Sequence, residues 1–329
     1  MAQTVWSEDP GVLLTVGAGF SLAGVDSSST PGLKGGKFDG ETLLEKGRIE
    51  LGDLQERLWA ESRFGGTRAV LLVLQAMDTA GKGGIVRHVV GGVDPQGVTV
   101  YGFKKPTKEE LSHDFLWRVR DHLPTPGLLG VFDRSHYEDV LVARVRNLVE
   151  PDVIEERYAQ INEFEKQVVD GGTTIVKVML HISADEQKAR LAARLDDPEK
   201  HWKFNPGDLD ERAFWTHYQD AYQAAFEKTS TADAPWFVIP ADHKWYARVA
   251  VQHLLLDALR DAGTLRRYVP QDVSQSALEV AAHEVAAEYP AIEVHGVVGD
   301  FTRHLDELPG GDKRLLAFLG GTLGNLISD

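Results

Sequence analysis

The sequence predicts an α/β chain: a parallel sheet with helices on both faces. Three observations carry that expectation. Short β-branched and apolar runs alternate with longer amphipathic ones, the pattern of strand–helix–strand units. The first such run, Ala69–Leu74, is apolar throughout, as a strand covered on both faces requires. A glycine-rich turn follows it and leads into a helical stretch at Ile85–Val90.

Taken in order, residues 1–40 are rich in Gly, Ser and Thr, as in Ser27-Ser28-Ser29-Thr30-Pro31-Gly32, and read as an extended N-terminal arm. Glu41–Arg63 predicts an amphipathic helix, with Leu43, Leu44, Leu51, Leu54 and Leu58 on one face and Gly65-Gly66 at its end. After Ala69–Leu74 come a strand at Val98–Phe103, a helix over Lys108–His122 and a strand at Leu128–Phe132. A long helix at Pro151–Val169 precedes the strand Thr173–Ile182, and Trp236–Ile239 and Tyr246–Ala262 supply a last strand and helix. These elements define a domain over residues 41–262. Beyond it the character changes: from Pro270 to Asp329 there are ten acidic and three basic residues. The pattern restarts as strand (Tyr268–Val273), helix (Ser276–Glu288), strand (Val294–Val298) and strand (Leu315–Leu319), a small appended α/β fragment over residues 263–329.

Composition narrows the function. With 26% charged and 43% hydrophobic residues the 329-residue chain is ordinary globular protein. Thirty-five Lys and Arg against fifty Asp and Glu give −15, so the molecule as a whole does not attract nucleic acid or anionic membrane, and a polyanion must find a local basic cleft. The absence of cysteine excludes disulfides, thiolate metal sites and a thiol nucleophile. The first basic residue is Lys34 and no apolar stretch approaches the roughly 20 residues of a bilayer span. A cytoplasmic protein with neither a secretory leader nor a membrane or nucleic-acid partner is expected.

The strongest chemical signal is Gln75-Ala76-Met77-Asp78-Thr79-Ala80-Gly81-Lys82-Gly83-Gly84. A strand leading through a Gly-Lys turn into a helix is the P-loop layout, in which backbone amides and a lysine face phosphate oxygens. Lys82 is the cation, and Gly81, Gly83 and Gly84 supply amides. Two positions depart from the usual pattern: Ala76 replaces its first glycine and Gly83 its magnesium-binding hydroxyl. Asp78 adds a carboxylate, which would repel bound phosphate unless a cation lies between them, so it is assigned to Mg²⁺. The second element is Gly130-Val131-Phe132-Asp133-Arg134-Ser135-His136-Tyr137-Glu138. An acid ending an apolar strand is where P-loop enzymes place a further magnesium ligand, which assigns Asp133, and Arg134 can grip a phosphoryl group bidentately. Alone, the Asp-Arg pair would read as a surface ion pair; beside the Gly-Lys loop the metal reading is the better one.

A third element begins at the capping box Ser183-Ala184-Asp185-Glu186. Arg190 and Arg194 share one helix face, with Lys188 nearby and Lys200 and Lys203 following, which predicts a basic lid over phosphates. Asp185, Glu186, Asp196 and Asp197 leave a solvated charged helix as the other reading. In Ser112-His113-Asp114-Phe115-Leu116-Trp117-Arg118, Asp114 and Arg118 are again four residues apart, while the aromatics fit a core or a nucleobase contact.

Together these motifs, with Val93-Asp94-Pro95-Gln96-Gly97 and Lys200-His201-Trp202-Lys203, resemble the family-2 polyphosphate kinases, which have a P-loop kinase fold. The resemblance spans about Pro10–Ala262, and in that family a residue without a hydroxyl after the lysine is normal. It implies Mg²⁺-dependent phosphoryl transfer between inorganic polyphosphate and a nucleoside mono- or diphosphate, AMP and ADP above all. Mapped onto this chain, Lys82 and the Gly81–Gly84 amides would hold phosphate, Asp78 and Asp133 would bind the metal and Arg134 would steady the transferred group. Arg190, Arg194 and Lys203 would form the lid and polyphosphate track, with Asp114 and Arg118 positioning the nucleotide. Association into a homodimer or homotetramer is implied as well. Alternatives are an ATP-dependent nucleotide or small-molecule kinase of the same fold and a nucleotide-binding regulatory module.

The C-terminal stretch resembles a different family. Leu254–Asp261, Arg267-Tyr268-Val269-Pro270-Gln271-Asp272-Val273-Ser274, Val298-Gly299-Asp300-Phe301 and Phe318-Leu319-Gly320-Gly321-Thr322-Leu323-Gly324-Asn325 are similar to an internal piece of histidine-specific, S-adenosylmethionine-dependent methyltransferases. The upstream strand and glycine-rich cofactor loop have no counterpart here. A partial sheet does not enclose that cofactor, so an accessory fragment is expected rather than a working methyltransferase, with Asp272 and Asp300 as vestiges of a cofactor site.

Overall fold

A computed structural model describes residues 6–262, 267–288 and 293–299. The chain divides into two compact units, Met1–Gly263 and Thr264–Asp329. In the first, a short helix α1 (Pro10–Leu13) precedes the long helix α2 (Lys37–Ser62). Strand β1 (Ala69–Ala76) then runs into α3 (Lys82–His88), followed by β2 (Val98–Gly102), the single turn α4 (Trp117–Arg120) and β3 (Leu129–Asp133). Helices α5 (Glu138–Val145) and α6 (Pro151–Asp170) lead to β4 (Thr173–His181). After it come α7 (Ala184–Asp196), α8 (Gly207–Arg212), α9 (Trp215–Thr229), β5 (Trp236–Pro240) and α10 (Lys244–Ala262).

The five strands form one all-parallel sheet in the order β2-β3-β1-β4-β5. β1 lies at its centre, with Leu74 level with Asp133 of β3 and with Val178 of β4. Alternate β1 residues feed two cores: Val70, Leu72 and Leu74 meet α3 and α10 on one face, and Leu71 and Val73 meet α5, α6 and α9 on the other. A strand buried on both sides must be apolar throughout, and β1 is. Helix α2 packs along α10, and two glycines permit that approach: a Cβ at Gly40 would overlap the Trp245 ring, and one at Gly47 the Gln252 amide.

Where an extended arm is expected over residues 1–40, residues 6–36 follow a more structured course and α2 already begins at Lys37. Thr15 bridges Phe237 in antiparallel sense, and the backbone bonds Val16 N–H to Trp236 O (2.8 Å) and Val238 N–H to Leu14 O (2.9 Å) seat the arm on the free edge of β5. Over Lys108–His122 there is no continuous helix. A 3₁₀ turn at Glu110–Ser112 and the four residues of α4 replace it. Side chains compete for the backbone there: Asp114 Oδ1 accepts from Leu116 N–H (3.0 Å) and Glu110 Oε2 from Thr107 N–H (2.5 Å).

Under the sheet lies a buried charged network. Lys177 of β4 donates to Glu165 Oε2 (2.5 Å), Tyr137 Oη (3.0 Å) and the Thr229 carbonyl (2.7 Å). Tyr137 Oη donates in turn to Glu165 Oε1 (2.8 Å), which His136 Nε2 also meets at 3.2 Å. Burial works against the Glu165 charge, but Lys177 and His136 outweigh it and hold the carboxyl below its usual range.

In the second unit, β6 (Arg267–Tyr268) pairs in parallel with β8 (Glu293–Val294), and β7 (Gln271–Asp272) with β9 (Val297–Val298), with α11 (Gln275–Glu288) between. The run Tyr268–Val273 is split at Pro270, which lacks the N–H a ladder needs. Leu315–Leu319 and Asp300 fall outside the described residues.

Candidate active site at the carboxyl ends of β1 and β3

Parallel sheets present ligands at the carboxyl ends of their strands, where the connections diverge. There β1 turns into Met77–Gly81 and β3 into Arg134–Tyr137, side by side. The Arg134 N–H donates to the Leu74 carbonyl of β1 at 3.0 Å. Both turns hold a side-chain residue in the left-handed region: Thr79 has φ +68° and Arg134 φ +64°. A β-branched residue in that conformation is a backbone outlier that persists only where its surroundings over-determine it. Gly81 at φ +122° starts α3, a conformation open to glycine.

The Asp78, Lys82, Asp133 and Arg134 side chains gather at these turns. Arg134 Nη2 lies 3.4 Å from Asp78 Oδ1. Burial works against the Arg134 charge, but Glu138, Asp78 and Asp133 outweigh it and hold the guanidinium above its ordinary value. Lys82 reaches back across the loop and donates to the Ala76 carbonyl at 3.1 Å. That bond is with a neutral acceptor, so an arriving phosphate offers the amine a stronger one. Asp78 and Asp133 present hard carboxylate oxygens, the donor chemistry of a hard divalent cation.

The loop's own shape is enforced from α7. Gln187 Nε2 donates to the Asp78 carbonyl (3.2 Å), and Arg190 Nη1 to those of Thr79 (3.0 Å) and Ala80 (2.9 Å). Arg190 Nη2 takes the Ala241 (2.7 Å) and Asp242 (2.9 Å) carbonyls, and its Nε meets Glu186 Oε1 (2.6 Å). This revises the expectation of a lid cation: Arg190 is buried and fully partnered, and it braces the loop. Arg118 is revised in the same way. It is buried, donates to the Lys104 carbonyl (2.9 Å) and Asp139 (3.2 Å), and lies over the Phe103 ring. Asp114, exposed, caps its own turn instead of sharing a helix face with Arg118.

Arg194 pairs with Asp208 Oδ2 at 3.0 Å and donates to the Lys203 carbonyl at 3.2 Å. Lys203 is exposed, its amine 5.0 Å from the centre of the Trp202 ring. Burial, and then the Asp78 charge, hold the Asp208 carboxyl above its usual range against the pull of Arg194 and Arg134. Three further groups escaped the sequence reading. Glu138 closes the second motif, and burial pushes its carboxyl up against the pull of Arg134 and Lys82. Lys244 and Arg248, one turn apart on α10, form a second cationic group. Burial lowers both side chains' pKa, and the Arg248 guanidinium comes close to Gly84 at the start of α3. Their i, i+4 spacing was the available signal.

With this geometry in view, the comparisons with known proteins are direct. The profile of the polyphosphate kinase 2 family matches residues 36–267. An AMP/ADP-polyphosphate phosphotransferase of Meiothermus ruber is 50% identical over 240 residues, 73% of this chain and 88% of that protein. An ADP-polyphosphate phosphotransferase of Rhodopseudomonas palustris is 44% identical over 233 residues, 66% of this chain and 78% of that one. The crystal structure of polyphosphate kinase 2 from Arthrobacter aurescens superposes with a TM-score of 0.78 at 56% identity, over 85% of this chain and 98% of that chain. A second profile, that of S-adenosylmethionine-dependent histidine-specific methyltransferases, matches residues 249–329 and overlaps the first along α10. From its sheet order, its phosphate-type loop and these relatives, the chain belongs to the polyphosphate kinase 2 family.

Proposed function

We propose that the chain transfers a phosphoryl group between inorganic polyphosphate and a nucleoside mono- or diphosphate, AMP or ADP giving ADP or ATP, with Mg²⁺. The observation that carries this reading is the approach of Asp78 and Arg134 beside the Lys82 loop, in a chain so similar to named polyphosphate phosphotransferases.

Phosphoryl transfer has a loose transition state, so the protein's task is alignment and charge rather than a covalent nucleophile. Lys82 and the Gly81, Gly83 and Gly84 amides would bind the phosphate chain, and Arg134 would steady the equatorial oxygens of the moving group. The acceptor phosphate is already ionised at neutral pH, so no histidine base is required. Asp78 and Asp133 would hold Mg²⁺, which when bound neutralises phosphate charge and aligns donor with acceptor. Arg194 and Lys203, with Lys244 and Arg248, are the cations available for the rest of the polyanion. A cytoplasmic location and association into dimers or tetramers complete the reading, the latter measurable by light scattering.

The test is ATP formation from polyphosphate, Mg²⁺ and ADP without added ATP. Lys82→Ala and Asp133→Ala are each expected to lower turnover by ~10²–10³ while leaving the far-UV circular dichroism spectrum intact. Near-parent turnover by either variant overturns the assignment. Product seen only when ATP is the donor points instead to an ATP-dependent kinase.

A further inference from the structure

Beneath the turn that carries Arg134 lies the buried Lys177–Glu165 pair, which no step of the transfer uses. Lys177 of β4 is level with Val73 of β1, and Val73 with Phe132 of β3, so it sits one residue short of the Asp133 level. Lys177, Glu165, Tyr137 and His136 are each at 1% exposure or less. Their bonds close on one another. The three N–H donors of Lys177 go to Glu165 Oε2, Tyr137 Oη and the Thr229 carbonyl. The other carboxylate oxygen, Glu165 Oε1, accepts from Tyr137 Oη at 2.8 Å and lies 3.2 Å from His136 Nε2. Both side chains gripped by this carboxylate belong to the active-site turn, at the second and third positions after Arg134.

Stability alone does not account for such a network. A buried ion pair is commonly matched by apolar side chains of the same volume, whereas a fully bonded polar network fixes one arrangement of the groups it joins. The turn needs that fixing. Arg134 has φ +64°, a conformation that a residue with a side chain keeps only where the flanking chain over-determines it. On one side the β3 ladder holds Asp133 level with Leu74, and the Arg134 N–H donates to the Leu74 carbonyl. On the other side the hold is Glu165, through His136 and Tyr137. The Arg134 side chain itself is half-exposed and has one long contact, 3.4 Å to Asp78, so its direction follows from its backbone.

We propose that the Lys177–Glu165 pair positions Arg134: by gripping His136 and Tyr137 it keeps the turn in the conformation that aims the guanidinium at the transferred group. This rests on the phosphotransferase reading and goes beyond it, because Lys177 and Glu165 touch neither substrate nor metal. Loosening the pair lets the turn relax toward ordinary dihedrals and swings the guanidinium aside. Lys82 and the loop amides lie on the β1 turn, which none of these side-chain bonds reaches, so the polyphosphate is still held.

The experiment measures kcat, KM for polyphosphate and thermal unfolding, with Mg²⁺ and ADP. It compares parent, Lys177→Met/Glu165→Gln, Tyr137→Phe, Arg134→Lys, and the double change combined with Arg134→Lys. The double variant loses both charges together and is expected to melt close to the parent, with kcat about tenfold to a hundredfold lower. Its KM for polyphosphate should stay within about twofold. Tyr137→Phe keeps the ion pair but drops one bond to the turn, and should lose kcat by less. On top of Arg134→Lys the double change should cost kcat less than about threefold, because the fork that it aims is already gone. The proposal is overturned if the folded double variant keeps the parent's kcat, or if KM rises as steeply as kcat falls. It is also overturned if the double change costs as much on top of Arg134→Lys as it does alone. Should the double variant fail to fold, Tyr137→Phe decides, and parent kcat in that variant overturns the proposal. A parent protein that forms no ATP refutes the phosphotransferase reading itself, a result separable from all of these.

Discussion

Arg190 shows how a correct sequence pattern acquires a different meaning once packed. Its i, i+4 partnership with Arg194 places both on one face of α7, yet spacing does not say what lies against that face. In the folded chain it is the strand-to-helix loop and the Ala241–Asp242 turn, and five hydrogen bonds absorb the guanidinium. Arg118 went the same way, toward Lys104 and Asp139. Arg190→Met leaves loop carbonyls without their donor and should cost about 2–3 kcal/mol of stability, read by urea unfolding. Turnover should fall with it, because the Thr79–Ala80 backbone loses its brace. A fully stable variant with weakened polyphosphate binding would restore the lid assignment. By contrast, Asp78, Lys82, Asp133 and Arg134 were legible because each sits in a contiguous run whose local geometry sets its surroundings. Glu138 lies in one of those runs, but its burial is set by the tertiary fold and leaves no local trace.

At the level of elements, the sheet was readable and the helices only partly so. Strands β1, β3, β4 and β5 stand out as apolar or β-branched runs because that part of the parallel sheet is covered on both faces. The largely exposed edge strand β2 stands out by its β-branched residues alone. Helix α9 was passed over, although its buried Tyr218, Ala221, Tyr222, Ala225 and Phe226 keep helical spacing. The Lys177 network is a link between elements. It joins β4 to α6 through Glu165, to α9 through Thr229 and to the turn before α5 through Tyr137. Lys177→Met leaves the buried Glu165 charge with only His136 and Tyr137 beside it and should cost about 3–5 kcal/mol; adding Glu165→Gln should return much of that loss in the same unfolding measurement. A second link ties the N-terminal arm to α10. His253 Nε2 lies 3.2 Å from Asp9 Oδ1 and 3.0 Å from Asp257 Oδ2. Burial works against its charge, but those two carboxylates outweigh it and raise the imidazole above 6.5. A group raised on folding stabilises fully below its unfolded value and loses that contribution as pH rises through the folded one. The stability gap between parent and His253→Gln should therefore be widest in mild acid and shrink above neutrality; a gap that widens instead refutes the link.

For the whole molecule, the sheet, both cores and every candidate site residue lie within Met1–Gly263. A chain ending at Gly263 should fold and turn over within about twofold of the full-length protein, checked by circular dichroism and the ADP assay. Failure of that shorter chain to fold would make the second unit a structural partner of the first. Among the described residues no helix is long and apolar enough to cross a membrane.

The antiparallel seat of Leu14–Val16 on β5 has a consequence for assembly. An open strand margin invites another chain to zip on, and proteins guard such margins. Here one is covered by Leu14–Val16 of the N-terminal arm, which among the described residues leaves β2 as the uncovered border of the five-stranded sheet. Among the described residues, pairing of the five-stranded sheet with a second copy is therefore open at Val98–Gly102 rather than at β5.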